Sequence, residues 1–244
     1  MNIEIVVFNL ESAINAELGG ADRIELCDNP GEGGTTPSFG VIGQAKKNLS
    51  IDVFVMIRPR GGDFSYSDYE FEAMKRDIEM CKQLKVEGVV FGILTSEGRI
   101  DRERNKKLID LARPMRVTCH RAFDMTRDPL EALEDCIAIG FDRILTSGQK
   151  SQAIQGIELI AKLNQQANGR IAIMPGSGVT EGNVAELVSK TGVTEIHFSA
   201  RRYVKSKSPK HNALIRFTDP LEDDWGGWIT DASIVQRVRG MIQK

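Results

Sequence analysis

Apolar, largely β-branched runs recur along the chain at 3–7, 23–27, 53–57, 88–91, 115–119, 143–146, 171–174 and 195–198, which predicts eight strands. The stretches between them carry apolar residues at helical spacing. Strand and helix therefore alternate, as in βα units built around a parallel sheet. Helix starts are legible as well: Ser67 and Glu70 have the capping-box spacing, and Asp128, Pro129 and Glu131 supply a cap, a first-turn proline and a third-position carboxylate. A weak repeat marks the other ends, where Gly20, Gly140 and Gly192 each precede a new strand. Glycine tolerates the left-handed conformation that closes a helix.

No linker or composition shift divides the chain before about residue 200. The pattern predicts a single α/β domain over 1–244, a closed (β/α)8 barrel. An open doubly wound sheet is the alternative, but the GxGxxG fingerprint is missing after the first strand, where Val7-Phe8-Asn9-Leu10 leads straight into a helix. Residues 201–230 read as a long loop after strand eight. It carries basic Arg201, Arg202, Lys205, Lys207 and Lys210, acidic Glu222, Asp223 and Asp224, and a turn holding Trp225 and Trp228. A loop of this length is either functional or disordered, and the tryptophans favour ordering across the barrel mouth or at a subunit contact.

Composition narrows the setting. At 244 residues the chain can bury a core large enough to need neither disulfides nor a structural metal. Thirty-two basic against 34 acidic residues give a net charge of -2, which argues against nucleic acid as a partner. No apolar run reaches membrane-spanning length, and the start, MNIEIVVFNLES, has acidic Glu4 where a signal peptide is basic. The expectation is a cytoplasmic protein, no membrane partner, and reduced thiols at Cys27, Cys81, Cys119 and Cys136.

In a (β/α)8 barrel the chemistry sits at the C-terminal ends of the strands. That rule collects Glu25 and Cys27 from strand two, Arg58, Arg60 and Asp63 after strand three, and His120, Arg121 and Asp124 after strand five. Strands six to eight add Thr146, Ser147 and Gly148, then Gly176, Ser177 and Gly178, then His197, Ser199 and Ala200. Glu25, Arg58, Asp63, His120, Arg121 and His197 are the candidate catalytic residues. Two of the three histidines fall on this face, where imidazole exchanges protons near neutral pH. The bland reading makes Glu25 a buried partner for an arginine such as Arg58.

Gly176, Ser177 and Gly178, followed by Thr180, resemble an anion cradle at the start of the next helix, and Ser199 and Ala200 stand where many barrels bind phosphate. A tight turn is the competing reading. Cys27 is the best-placed thiol for a metal. Cys81 and Cys136 sit at helical spacing among apolar residues, and Cys119 alternates to the side opposite His120.

The strings GADRIELC at 20–27, EGGTTPSFG at 32–40, MIRPRGGDFSYSD at 56–68, TCHRAFD at 118–124 and RILTSG at 143–148 resemble the CutC family of copper homeostasis proteins. The resemblance runs from residue 1 to about residue 200. It implies a cytoplasmic (β/α)8 barrel that takes part in copper handling, as monomer or homodimer, with copper(I) as the ligand and no established reaction. It also implies copper coordination by cysteines on strands one and two. The second matches Cys27, whereas the first falls on Val6, which cannot ligate; Cys119 stands where members commonly carry phenylalanine. Two further readings stand beside the family's. One is a metal-independent enzyme acting on a small phosphorylated or anionic metabolite, with Glu25 and His120 shuttling protons. The other is a silent scaffold whose tail contacts a protein.

Overall fold

In the computed structural model, which describes residues 1–208 and 226–242, eight parallel strands form one sheet in the order β7-β6-β5-β4-β3-β2-β1-β8. They are β1 (Asn2–Val7), β2 (Arg23–Leu26), β3 (Asp52–Met56), β4 (Gly88–Phe91), β5 (Arg116–Cys119), β6 (Arg143–Thr146), β7 (Ala172–Pro175) and β8 (Glu195–Phe198). Each is followed by a helix: α1 (Leu10–Leu18), α2 (Phe39–Asn48), α3 (Asp68–Gln83), α4 (Arg102–Ala112), α5 (Pro129–Ile139), α6 (Ile157–Ala167), α7 (Val184–Thr191) and α8 (Ala232–Ile242). This is the (β/α)8 barrel, nearly closed. Hydrogen-bonded registers join every neighbouring pair of strands except β7 and β8, which are the two ends of the sheet.

The local signals act as expected. Ser67 and Glu70 form a reciprocal capping box on α3, and Asp128 accepts from the N–H groups of Leu130 (2.9 Å) and Glu131 (3.1 Å) at the head of α5. Gly140 and Gly192 close α5 and α7 in the left-handed conformation, with φ of 96° and 66°. The 201–230 segment differs from the loop expected of it. Its two ends pair as an antiparallel ribbon, β9 (Arg201–Lys205) with β10 (Gly226–Thr230), because Tyr203 and Trp228 stand opposite each other and stack edge to face at 5.5 Å. Lys210, Glu222, Asp223, Asp224 and Trp225 lie outside the described residues.

Alternation along the strands divides the core in two. Outward residues such as Ile3, Ile5, Ile24, Val55 and Val117 pack with the helices into one continuous apolar layer, which also takes up Cys81 and Cys119. The inward residues are of another kind. A small apolar cluster of Cys27, Phe54, Met56 and Val90, flanked by Val6 and Phe8, shares the barrel interior with buried charges. Branched aliphatic layers are the usual filling of such barrels. Here Arg23, Arg143 and Glu195, each the first residue of its strand, lie at the N-terminal end, and Glu4, Glu25 and His197 lie above them.

Candidate functional site

The interior charges are paired with few alternatives. Arg23 donates through Nε to Glu4 and through Nη2 to Glu195 at 2.7 Å. Arg143 grips Glu195 with Nε and, at 3.0 Å, with Nη2, and it reaches the Thr118 hydroxyl at 3.1 Å. Both guanidinium groups also lie against the Phe54 ring, 4.8 and 5.4 Å from its centroid. Glu4 carries the ladder upward, since its Oε1 stands 2.7 Å from His197 Nδ1. Burial alone would raise the Glu4 carboxyl, but Arg23, His197 and Arg143 hold it far below the usual carboxylate range.

His197 bridges the ladder to the site, with Nε2 3.8 Å from Glu25 Oε2. Burial disfavours its charged form, yet Glu25 and Glu4 outweigh burial and raise its pKa. Glu25 has the opposite environment from Glu4. Burial, with the nearby Glu4 charge adding to it and His197 opposing, pushes its carboxyl up to about 7. Its Oε2 faces the Cys27 thiol at 3.7 Å, and its Oε1 has no hydrogen-bond partner. Two buried glutamates on adjacent strands are thus set apart, one fixed as an anion and one poised near neutrality.

Above them opens a cavity of about 790 Å³, lined among others by Glu25, Arg58, His120, Ser177, His197 and Ser199. Arg58 is a brace: its fork donates to the backbone oxygens of Glu32 (2.6 Å), Gly34 (2.9 Å) and Gly62 (2.9 Å). It does not pair with Glu25; the buried arginine partners of the interior glutamates are Arg23 and Arg143. His120 caps the turn after β5, its Nδ1 accepting from Ala122 N–H at 3.2 Å. That bond leaves the ring proton on Nε2 in the neutral imidazole. Burial, reinforced by the Arg58 charge, lowers its pKa to about 3.

The predicted ring of polar residues is only partly assembled. Glu25, Arg58, His120, Arg121 and His197 do line one cavity. Arg121 is spent on Asp124 (2.8 Å) and the Ser147 hydroxyl (2.9 Å), and Asp124 also gathers Thr146 and the Ser147 and Gln149 N–H groups. Asp63 stands apart from the cavity, exposed and in an ion pair with Arg60, directly after Gly62, whose φ of 77° turns the chain.

Of the anion residues, Ser177, Gly178, Ser199 and Ala200 line the cavity. The N–H groups of Ser177, Gly178, Val179, Ser199 and Ala200 find no acceptor among the described residues. Gly176 plays another part: its N–H donates to Thr146 O at 3.0 Å, and a Cβ there would meet Leu145 at 2.5 Å and His197 at 3.2 Å. The cradle is also detached from the following helix, since α7 begins only at Val184 after a turn closed by Thr180 and Asn183.

As a metal centre the region is poorly matched to copper(I), which favours several soft ligands. Cys27 is buried, and burial together with Glu25 raises its thiol pKa well above the ordinary value. Cys81, Cys119 and Cys136 are buried with the helix-facing layer. Glu4, Glu25 and His197 bring ligand-type atoms within 4.8 Å of one another, but Glu4 is already committed to Arg23.

The model of the CutC family matches residues 1–202. A Homo sapiens protein named copper homeostasis protein cutC homolog is 54% identical over 242 residues, covering 99% of this chain and 89% of the human one. A CutC family protein of Parabacteroides distasonis is 55% identical over 211 residues, 86% and 87% of the two chains. The crystal structure of the putative copper homeostasis protein CutC from Streptococcus agalactiae superposes with a TM-score of 0.78 at 38% identity, covering 82% of this chain and 98% of that one.

Proposed function

The chain belongs to the CutC family, and from that premise we propose that it is an acid–base enzyme whose substrate is a small phosphorylated or otherwise anionic metabolite held at the barrel mouth. One observation carries this reading. A single cavity has a buried carboxylate with an unpartnered oxygen on its floor and unspent backbone N–H groups on its rim. Such N–H groups suit an anion, because each can donate without first breaking a bond inside the protein. Glu25, held near neutrality beside His197, is then within reach of a substrate that the rim has oriented.

Thermal melting in the presence of inorganic phosphate and a panel of phosphorylated and carboxylated metabolites tests the proposal. A native-state ligand at about 100 times its Kd stabilises by about 2.7 kcal/mol. Ser177→Phe, which places a ring over the rim, reduces that rise, while His120→Ala retains it. A panel in which no anion raises the midpoint sinks the reading.

Copper(I) is the second reading, supported by kinship and by Cys27, with the protein placed in the cytoplasm and acting as monomer or homodimer. Val6 and the protonated state of Cys27 weigh against it. Anaerobic titration decides the matter: stoichiometric uptake that Cys27→Ser abolishes would restore copper as the ligand, and the expected result is none. No helix among the described residues is long and apolar enough to cross a membrane.

A further inference from the structure

Resting on the anion-binding reading above, we infer that the reaction at this site is proton abstraction beside a carbonyl. Glu25 takes the proton from the carbon adjacent to a substrate C=O, while His120 Nε2–H holds the oxygen. The substrate class is then an α-hydroxy aldehyde or ketone that also carries a phosphate or carboxylate.

The argument starts from buried polar atoms that lack a partner. Among the described residues these are Glu25 Oε1, Arg58 Nε, the Tyr66 hydroxyl oxygen and His120 Nε2. The Tyr66 hydroxyl stands beside the Arg58 guanidinium, which leaves Glu25 and His120, both lining the cavity, as the pair to be explained together. His120 Nε2 is a donor because Ala122 N–H occupies Nδ1, and burial with the Arg58 charge keeps the ring neutral. Glu25 Oε1 is the acceptor of the two in its ionised form.

A donor and a basic acceptor are the complement of a carbonyl and its acidic C–H. Arg58 and His120 share one flank, since both approach the Phe64 ring, at 5.0 and 4.9 Å, and the Arg58 charge helps keep the His120 ring neutral. Glu25 comes from β2 and His120 from the turn after β5, so the two residues line the cavity from different strands of the ring. A histidine held neutral by burial can still serve as the electrophile, donating its Nε2–H to a developing enolate oxygen. Of the candidate nucleophiles, the Ser177 hydroxyl is spent on Ser151 O at 2.8 Å, and burial raises the Cys27 thiol pKa well above its ordinary value.

The step balances without a co-reactant. The C–H electron pair becomes the C=C bond of an enediolate, the carbonyl π pair moves onto the oxygen held by His120, and the proton passes to Glu25. Return of a proton to the same carbon gives exchange; delivery to the neighbouring carbon gives isomerisation once the hydroxyl proton has moved from one enediolate oxygen to the other. His197, 3.8 Å from Glu25 Oε2, offers the captured proton a route off the base.

The test is exchange in D2O, read by proton NMR on glyceraldehyde 3-phosphate, dihydroxyacetone phosphate and five- and six-carbon ketose phosphates, with melting of the same mixtures run in parallel. The expected result is one compound that raises the midpoint and loses its α-proton at least about 100-fold faster than in buffer. Glu25→Gln then abolishes the exchange while its midpoint still rises with that compound, and His120→Gln slows exchange by at least about 10-fold. A compound that binds but keeps its α-proton, or exchange that survives Glu25→Gln, overturns this inference and leaves the anion site standing. Absence of any midpoint rise, with inorganic phosphate included, overturns the anion reading along with it.

Discussion

Replacing Arg23 with methionine isolates one charge in the barrel interior. The methionine keeps an apolar contact for the Phe54 ring, against which the guanidinium lies at 4.8 Å, while removing both of its ion pairs. Glu195 still has Arg143, so the loss concentrates on Glu4, which is fully buried and left with His197 alone. Removing one partner of a buried pair costs about 3–5 kcal/mol, because the other charge is stranded. At about 2–4 °C per kcal/mol for a chain of this size, the melting midpoint at pH 7.5 falls by roughly 6–20 °C.

The sign of the pH dependence follows from Glu4. Its folded pKa is depressed, so it contributes stability that is present above its unfolded value of about 4.3 and is lost as pH falls. Without Arg23 the carboxyl protonates readily, and the gap between variant and parent narrows from pH 7.5 to pH 4.5. The double variant Arg23→Met with Glu4→Gln is more stable than Arg23→Met alone, because no charge is left stranded. Melting of the parent, both single variants and the double variant at the two pH values measures all of this. A cost under about 1 kcal/mol for Arg23→Met, or a double variant no better than the single one, would refute the reasoning.

Three other outcomes are expected. Burial raises the Glu25 carboxyl to about 7, so its contribution to stability is full below about 4.3 and lost as pH rises through 7; Glu25→Gln therefore gains on the parent between pH 5 and 8, and a constant offset in melting midpoint contradicts this. His120 shows the neutral Nε2–H tautomer by NMR from pH 8 down to 5, since its pKa is lowered to about 3, and a titration near 6.5 would count against the buried arrangement. Gly88→Ala drives a Cβ to 2.4 Å from the Phe54 ring that Arg23 and Arg143 clasp, and costs about 1–3 kcal/mol by denaturant unfolding; an unchanged midpoint would mean the ring can yield.

The strands were legible because β-branched runs and helix punctuation agree locally. The runs at 88–91, 143–146 and 195–198 coincide with β4, β6 and β8, and the others differ by one residue at one or both ends. That Glu25, His120 and His197 share one cavity was legible because residues at the strand ends of this fold gather at one mouth. The ionic ladder was not. Glu4, Arg23, Arg143 and Glu195 sit near the starts of strands, where the rule for active sites does not look, and single charges there pass for surface. The available signal was period two: Arg23, Glu25 and Cys27 alternate with Ile24 and Leu26, so an apolar outer face forces charge inward. Asp63 was misplaced because two glycines beside it leave the direction of the chain undetermined by sequence.

The missing register between β7 and β8 makes the barrel a split ring. A split ring can widen or narrow without breaking a backbone bond, and its two lips carry the unspent N–H groups of Ser177, Gly178 and Val179 on one side and of Ser199 and Ala200 on the other. An anion accepting from both lips is a clasp. It supplies the circumferential tie that the strands themselves lack, so that tightness of binding and stiffness of the hoop become one quantity. Slowed amide exchange reaching down β7 and β8 to their N-terminal ends would be the mark of a barrel fastened by a bound anion.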